Sequence, residues 1–240
     1  MVNIFKKRTT IYKIKVSVMM EKLLQDRIFR LPRIWSNDEL LKFAYLFKDD
    51  VVNVSGWKDF DKNGKHYKDY FINSKNYFMT NANMDSGLQG DFENEIELDL
   101  SKEIPENLYQ KFDVCFNHTV LEHIFEIDQS FKNICDMSKD IVILVTPFSQ
   151  PVHYAKDKSW LDYWRLTPFA IEKYFKKNGF EMLYMNCNEN LGAGSYIFSI
   201  ATRNKLNWLE KHEDFGKIKY SCNCGIKIRW FKLLFNLLKK

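Results

Sequence analysis

Hydrophobic positions recur along this chain with two periods, and their order predicts an α/β domain. Short β-branched or alternating apolar runs predict strands. We place these strands at residues 51–54, 77–80, 95–100, 112–117, 140–145, 180–185 and 196–201. Apolar residues spaced by three and four predict helices at 119–137 and 168–177. Strands that alternate with helices indicate a mostly parallel sheet, and the last two strands, with no helix between them, predict an antiparallel edge.

Local signals predict where several of these elements begin and end. Ser36 precedes an amphipathic run at 40–47 and is the expected N-cap of an early helix. Pro147 is expected to end the strand at 140–145. Thr167 is the expected cap of the helix at 168–177, and Gly179 lies just beyond its end.

Charge is distributed unevenly, although the formal net charge is only +5. The first 33 residues carry nine basic and two acidic side chains, and residues 203–240 carry ten and three, so the body between them is acidic. An acidic body argues against a nucleic-acid-binding core, whereas the basic ends can contact phosphates or a membrane surface. We therefore divide the chain into a basic, helical N-terminal extension (1–50), a central domain (51–203) and a basic, amphipathic C-terminal extension (204–240).

The sequence indicates a cytoplasmic protein. No apolar run approaches the ~18–20 residues of a transmembrane helix, and no signal peptide is recognisable. Five cysteines, an odd number, favour a reducing compartment over a disulfide framework. Cys222 and Cys224 lack a second pair at zinc spacing, so we predict no metal site.

The C-terminal extension carries its own pattern. On a helix over 226–240, basic residues lie opposite tryptophan, phenylalanine and leucine. Such a helix is typical of in-plane membrane binding, and the alternative is that its apolar face packs on the domain or on a partner subunit.

Polar residues follow the predicted strands, at the edge where parallel sheets bind ligands. Ser55 and Gly56 follow the first strand, Asp99 the third, Asn117 and His118 the fourth, and His153 the fifth.

Three segments resemble the class I S-adenosylmethionine-dependent methyltransferases, specifically the methyltransferase-11-like group with a DYWR motif. They are FDVCFNHTVLEHI at 112–124, IVILVTPF at 141–148 followed by His153, and DYWRLTP at 162–168. They occur in the order and spacing of that family within residues 51–201. The resemblance implies a Rossmann-like sheet and S-adenosylmethionine as cofactor.

The resemblance also implies which residues bind the cofactor. They are Val54, Ser55 and Gly56 in the first loop, Asn81 near the ribose, Asp99 and Leu100 near the adenine, and Asn117 and His118 after the fourth strand. The first loop departs from the family pattern because it holds one glycine where the family usually has three. An asparagine stands where the family usually has the ribose-binding acid, with Asp85 close by.

Methyl transfer to a hydroxyl requires a base, and histidine suits neutral pH. His153 is the favoured base, His123 is a second candidate, and Glu122 with His123 is alternatively a helix brace. Arg165 is expected to hold a phosphate or carboxylate of the acceptor, or else to form an ion pair with Asp162 that stabilises the loop. Tyr163 and Trp164 either stack on a sugar ring or belong to the core.

The resemblance to the DYWR-type group implies O-methylation of a sugar or phosphorylated intermediate in surface-glycan biosynthesis. The alternative is a non-catalytic binding or scaffold protein with the same fold, in peripheral contact with a membrane.

Overall fold

A single sheet forms the centre of the molecule. The computed structural model describes residues 29–82, 94–188 and 194–222. In these ranges the strand order is β3-β2-β1-β4-β5-β7-β6. The strands are β1 (Asp50–Val54), β2 (Asn76–Asn81), β3 (Glu95–Glu97), β4 (Phe112–His118), β5 (Ser138–Ser149), β6 (Glu181–Cys187) and β7 (Ser195–Thr202). From β1 the next strands in sequence, β2 and β3, lie on one side, and from β4 the later strands lie on the other side. The topological switch point therefore lies between β1 and β4.

Strands β1 to β5 are parallel, whereas β7 runs antiparallel to both β5 and β6. This arrangement confirms the predicted sheet with an antiparallel edge.

Four helices accompany the sheet within the described ranges. They are α1 (Leu31–Phe43), α2 (Ile127–Met137), α3 (Pro168–Lys177) and α4 (Lys205–Leu209). The bounds of α3 confirm the prediction, including its cap, because the Thr167 hydroxyl accepts a hydrogen bond from the Ala170 amide at 3.2 Å. Gly179 follows with φ of 77°, a left-handed conformation that favours glycine.

The predicted starts of two helices were wrong. Ser36 lies in the middle of α1, which begins at Leu31 with a proline in its first turn, and its hydroxyl donates to the Arg33 carbonyl at 2.9 Å. The helix predicted from residue 119 begins only at Ile127. Thr119 has φ of 53°, so the chain turns sharply after β4 and forms a short 3-10 turn before the helix.

The predicted end of the fifth strand was also wrong, because β5 continues through Pro147 to Ser149. Pro147 pairs with Tyr196 of β7, and the register of the two strands shifts between Pro147 and Ser149. A proline is tolerated at such an irregularity because an amide hydrogen is not required there.

Two apolar cores cover the two faces of the sheet. Successive side chains of β5 point to opposite faces of the sheet. Val142 and Leu144 lie in the core that contains α2 and α3. The other three, Ile141, Ile143 and Val145, lie in the core that contains α1. A strand buried on both faces has a continuous apolar sequence, which explains the run IVILV.

The N-terminal region is described only from residue 29. Leu40 and Phe43 of α1 are buried in the second core, together with Phe47. The boundary at residue 50 stays a prediction. The amphipathic segment 226–240 and Asp85 lie outside the described residues. Within the described part of the chain, no helix has the length and apolar character needed to cross a membrane.

The cysteines differ from the sequence-based expectation. Cys187 and Cys222 form a disulfide with Cα atoms 5.7 Å apart, whereas Cys115 and Cys135 are buried free thiols. The pair meets because residues 217–219 run beside β6, where the Lys219 amide donates to the Met185 carbonyl at 2.9 Å. This proximity is tertiary and leaves no local sequence signal.

Candidate functional site

The loop after β1 folds back against the ends of β1 and β2. The Ser55 amide donates to the Thr80 hydroxyl at 3.0 Å, and the Gly56 amide donates to the Thr80 carbonyl at 3.1 Å. Ser55 and Trp57 both have positive φ, at 57° and 50°. Residues other than glycine are strained at positive φ. The loop therefore depends on its hydrogen bonds to stay in this conformation.

A glycine is required at position 56 because the backbone there lies very close to side chains of the sheet. A Cβ at this position would lie 2.6 Å from Nδ2 of Asn53 and 3.0 Å from Cγ of Met79. The single glycine of the loop therefore allows its backbone to pack directly on the sheet.

Asn81, predicted near the ribose, holds this loop. Its Oδ1 accepts from the Trp57 amide at 2.7 Å, and its Nδ2 donates to the Trp57 carbonyl at 3.1 Å and to Glu95 at 2.6 Å. Hydrogen bonds to a ribose would compete with these contacts.

Asp99 and Leu100, predicted near the adenine, lie beyond the end of β3. One Asp99 oxygen accepts from the amide and the hydroxyl of Ser101, at 3.0 and 2.7 Å, and the Lys102 ammonium lies 3.0 Å from the other. These hydrogen bonds lower the pKa of Asp99. Leu100 is buried, and its carbonyl accepts from Ser130 and Asn133 of α2.

A cavity of about 200 Å³ opens at the switch point between β1 and β4. Among the residues that line it are Arg33, Ser55, Gly56, Trp57, His118 and Thr119. A larger cleft of about 700 Å³ lies at the opposite edge, where Asp49, Asp113 and Asp140 mark the starts of β1, β4 and β5. The smaller cavity is the better candidate because open parallel sheets bind ligands at the carboxyl ends of their strands.

Asn117 and His118 end β4 beside this cavity. Asn117 donates to the Val54 carbonyl at 2.9 Å, while its buried Oδ1 has no hydrogen-bond partner among the described residues. His118 Nε2 lies 2.9 Å from the Ser36 hydroxyl. Burial and then the Arg33 charge lower the pKa of His118 well below its ordinary value, so the imidazole is neutral at pH 7.

Arg33 is a cavity residue that sequence reasoning missed. It lies on α1, and its Nη2 donates to the Thr119 hydroxyl at 3.2 Å. In the sequence it is one of nine basic residues in the N-terminal 33 and has no distinguishing neighbour. Only the packing of α1 over the sheet brings it to the cavity.

A second group of predicted residues meets in the loop that follows β5. His153 Nδ1 lies 3.0 Å from Oδ2 of Asp162 but outside hydrogen-bond geometry, and the same oxygen accepts from the His153 amide at 3.0 Å. The Asp162 side chain is fully buried and that of His153 is 29% exposed. Burial raises the pKa of Asp162, but hydrogen bonds from Arg165 and His153 outweigh it and leave the pKa below its ordinary value. An ionised carboxylate therefore stands beside the imidazole.

Arg165 is saturated by protein acceptors. Its guanidinium forms a two-pronged contact with Asp162. It also donates to the carbonyls of Gln150, Trp164 and Pro151 at 3.4, 2.8 and 3.2 Å. With five acceptors for five N–H groups, Arg165 matches the predicted ion pair that stabilises the loop, rather than a free receptor for an acceptor phosphate.

The turn after β4 anchors this loop. The Glu122 carbonyl accepts from the amides of Tyr163 and Trp164, at 2.7 and 3.3 Å. His123 Nδ1 donates to the Leu161 carbonyl at 2.8 Å, and the Trp164 indole donates to the Ile124 carbonyl at 3.0 Å. His123 and the Glu122 backbone thus hold a loop, and not the helix that the sequence predicted they would brace. Trp164 packs against the core, while Tyr163 is exposed.

Glu122 lies buried between the cavity and the loop. Burial raises the pKa of this carboxyl from its ordinary value to about 8, which leaves it protonated at neutral pH. Its Oε2 has no hydrogen-bond partner among the described residues.

The start of helix α1 connects the two parts of the site. Arg33, in its first turn, lines the cavity, and the ring of Phe29, two residues before the helix begins, contacts the His153 ring with centroids 5.6 Å apart.

Comparison with known proteins identifies the fold through similar structures and not through sequence matches. No family model and no curated protein sequence matches the chain. Magnesium protoporphyrin IX methyltransferase from Synechocystis, solved with bound S-adenosylmethionine, superposes with a TM-score of 0.51 at 14% identity, over 75% of this chain and 83% of that chain. A Bacillus halodurans protein described as a "putative methyltransferase" superposes with a TM-score of 0.50 at 12% identity, over 69% and 97%. At such identities the likeness establishes only the Rossmann-like methyltransferase fold, as predicted.

A third similar structure comes from a complex described as "between the Haloferax volcanii Trm112 methyltransferase activator and the putative methyltransferase". The TM-score is 0.51 at 9% identity, over 79% of this chain and 95% of that chain.

Proposed function

We propose that this protein is a methyltransferase that uses S-adenosylmethionine and methylates a hydroxyl of a sugar-type small molecule. The observation that carries the proposal is the cavity at the β1–β4 switch point of a methyltransferase fold. Phe29, just before α1, joins it to a loop in which His153 lies beside Asp162.

The described cavity fits one end of this cofactor. Its volume of about 200 Å³ is below the ~300 Å³ at which pockets for whole small-molecule ligands begin. The Gly56 backbone lies flat on the sheet, and the orphan Asn117 Oδ1 lies at the adjoining strand end. Residues 83–93, which follow β2 in the sequence, are outside the described residues. Ser55, Gly56 and Arg33 would thus hold the methionyl end.

The cofactor supplies a methyl group on a positively charged sulfur, and the chain's own residues prepare the acceptor. His153 is suited to take the proton of the acceptor hydroxyl at Nε2, because Asp162 faces its other ring nitrogen. Asp162 would stabilise the resulting imidazolium, and Arg165 keeps Asp162 ionised and in place. Asp162 and Arg165 are then positioning residues.

The surroundings of His153 support a ring-shaped acceptor. Trp160 packs against His153 with ring centroids 5.3 Å apart, and Tyr154 and Tyr163 are exposed in the same loop. Aromatic faces of this kind bind the apolar side of a sugar ring. Because Arg165 is saturated, a phosphate on the acceptor would need another receptor. The placement in surface-glycan biosynthesis rests on the family resemblance alone.

A second candidate function is binding without turnover. It is favoured by Asn81, whose amide is engaged with Trp57 and Glu95 where the ribose would lie. A protein that keeps the fold in this form would serve as a scaffold, with membrane contact through 226–240. Liposome sedimentation of the full-length chain and of a 1–225 chain, which keeps Trp208, Phe215 and the Cys187–Cys222 disulfide, tests that contact, and equal sedimentation would remove it.

Calorimetric titration of the full chain with S-adenosylmethionine and S-adenosylhomocysteine tests the proposal. We expect saturable binding of both and no saturable binding of free methionine. The absence of binding at millimolar cofactor would overturn it. Transfer of an isotopically labelled methyl group to a panel of monosaccharides and nucleotide sugars then separates the enzyme from the scaffold, which binds the cofactor but transfers nothing.

A further inference from the structure

Large hydrophobic side chains that face solvent are concentrated at the carboxyl edge of the sheet. Thirteen are exposed in the described part of the chain, and eight of these lie in residues 55–66, 119–126 and 150–169. These ranges are the loops after β1, β4 and β5, the last with the start of α3, and we call their exposed residues the loop surface. Single exposed apolar residues are ordinary on proteins, whereas a concentration of them marks an interaction surface.

The loop surface is continuous across three adjacent strands. Trp57 and Phe60 of the β1 loop line the switch-point cavity together with Val120 of the β4 loop. Phe125 of the β4 loop contacts Tyr163 of the β5 loop, with ring centroids 5.4 Å apart. Because β1, β4 and β5 are neighbours in the sheet, their loops form one face of the molecule.

Several of these side chains have no role in the folded chain that would explain their exposure. Phe125 is 62% exposed, Phe169 65% and Val152 70%, although none of them carries a polar atom in its side chain. Their apolar surface stays in contact with water unless a partner covers it.

The exposed charges of the loop surface are mostly positive. Its five exposed lysines are Lys58, Lys62, Lys65, Lys156 and Lys158, and its exposed acidic residues are Glu126 and Asp157. The other carboxyl side chains of the three loops, those of Asp59, Asp61, Glu122 and Asp162, are buried. Six other lysines of the described chain form ion pairs with acidic side chains, and none of these five does. Their charges are therefore available to an anionic partner.

Exposed aromatic residues interleaved with lysines fit the chemistry of an anionic lipid surface. Phenylalanine and valine enter the boundary of the acyl chains, tryptophan and tyrosine stay at the headgroups, and lysine ammonium groups reach the lipid phosphates. A nucleic acid would favour a basic body, whereas residues 34–202 are acidic in sum. A second copy placed on the same surface by a two-fold axis would bring the unpaired lysines of both copies together.

We propose that the loop surface binds an anionic lipid membrane, with Phe125 and Phe169 in the acyl boundary and the five lysines at the headgroups. This contact is separate from residues 226–240, and it does not depend on methyl transfer.

Sedimentation of the full chain with lipid vesicles tests the apolar part of the surface. The vesicles consist of phosphatidylcholine alone or of equal parts of phosphatidylcholine and phosphatidylserine. We expect Phe125→Ser with Phe169→Ser to weaken binding to the mixed vesicles roughly 10- to 100-fold, because two side chains no longer leave water. The matched control is Ile72→Ser with Leu206→Ser, which removes two equally exposed apolar side chains outside the loop surface and should leave binding unchanged.

A second pair of variants tests the charges. A lysine near an anionic membrane strengthens binding about fivefold, so Lys156→Gln with Lys158→Gln should weaken binding to the mixed vesicles roughly 10- to 30-fold. Binding to phosphatidylcholine alone should not change. The control is Lys48→Gln with Lys75→Gln, which removes two exposed lysines before β1 and β2 at the opposite edge of the sheet. Residues 226–240 are intact in every variant, so differences between variants report on the described residues.

Several outcomes would overturn the proposal. Wild type that does not sediment with the mixed vesicles lacks the contact, and loop variants that bind as well as wild type place it elsewhere. If vesicles are not bound and sedimentation velocity shows a dimer that Phe125→Ser with Phe169→Ser dissociates, the surface joins two copies. If oligouridylate is bound in place of vesicles, and the Lys156 and Lys158 variant loses it, the partner is a nucleic acid. All of these measurements are made without cofactor, so their failure is distinguishable from failure of the methyltransferase proposal.

Discussion

Replacing Gly56 by alanine tests whether the one glycine of the β1 loop serves close packing. The added Cβ would lie 2.6 Å from Nδ2 and 2.8 Å from Cγ of Asn53. Gly56 has no positive φ, so the expected cost is steric.

The magnitude follows from the surroundings of the clash. Asn53 is buried and cannot move aside cheaply, because its Nδ2 donates to Asp59 at 2.8 Å. Overpacking a buried site costs about 1–3 kcal/mol, and losing a hydrogen bond to a buried carboxyl adds about 1–3 kcal/mol. The two effects overlap, so we expect the free energy of unfolding to fall by about 2–4 kcal/mol.

Urea unfolding followed by tryptophan fluorescence measures this change, with Gly64→Ala as the matched control. Gly64 has φ of 82° and open space around its Cβ position. Its replacement is expected to cost only the left-handed backbone penalty, about 1 kcal/mol. A loss at Gly56 no larger than the loss at Gly64 would refute the packing argument.

Three further substitutions test the site. His153→Asn should reduce methyl transfer by roughly 100- to 10,000-fold, the usual contribution of a general base, and leave S-adenosylhomocysteine affinity unchanged; equal loss of both would contradict the assignment. The contribution of Glu122 to stability should fall as the pH rises from about 5 to 8, because folded Glu122, with a pKa of about 8, keeps a proton that the unfolded carboxyl has lost, whereas His118 and His123, whose pKa values are lowered, act in the opposite direction below about pH 6.5. The stability difference between Glu122→Gln and wild type in urea unfolding should therefore change with pH, in favour of the variant as the pH rises, and a difference that is constant with pH would exclude this role of Glu122. Arg165→Lys keeps the charge but cannot reach all five acceptors, so we expect a loss of about 2–3 kcal/mol in thermal unfolding, whereas the exposed pair of Lys177 with Asp128 should tolerate Lys177→Ala within about 0.5 kcal/mol. An Arg165→Lys variant as stable as wild type would show that the backbone contacts do not contribute.

Particular elements show how far the sequence predicts the fold. Helix α3 was predicted with its bounds because its cap, its first-turn proline and the glycine beyond it are all local signals. The helix after β4 was misplaced because apolar spacing continues through 120–124, where the chain forms a 3-10 turn whose apolar residues face the core before the α-helix begins.

In the candidate site, too, the sequence identified residues but not their partners. His153, Asp162 and Arg165 were recognised through motifs, but the choice between a substrate-binding and a structural Arg165 required its five acceptors. Asn81 was assigned to a ligand from its position at a strand end, while its actual partners are Trp57 and Glu95.

The sequence by itself determined the strand and helix pattern, the antiparallel edge and the set of polar residues at the strand ends, because hydrophobic periodicity and turn chemistry act over a few residues. Only the tertiary structure decided which of those polar groups meet. Arg33 reaches Thr119 across 86 residues of sequence, and its role depends on the packing of α1 over the sheet. Long-range contacts of this kind arise when buried faces pack together, and no local period in the chain encodes their partners.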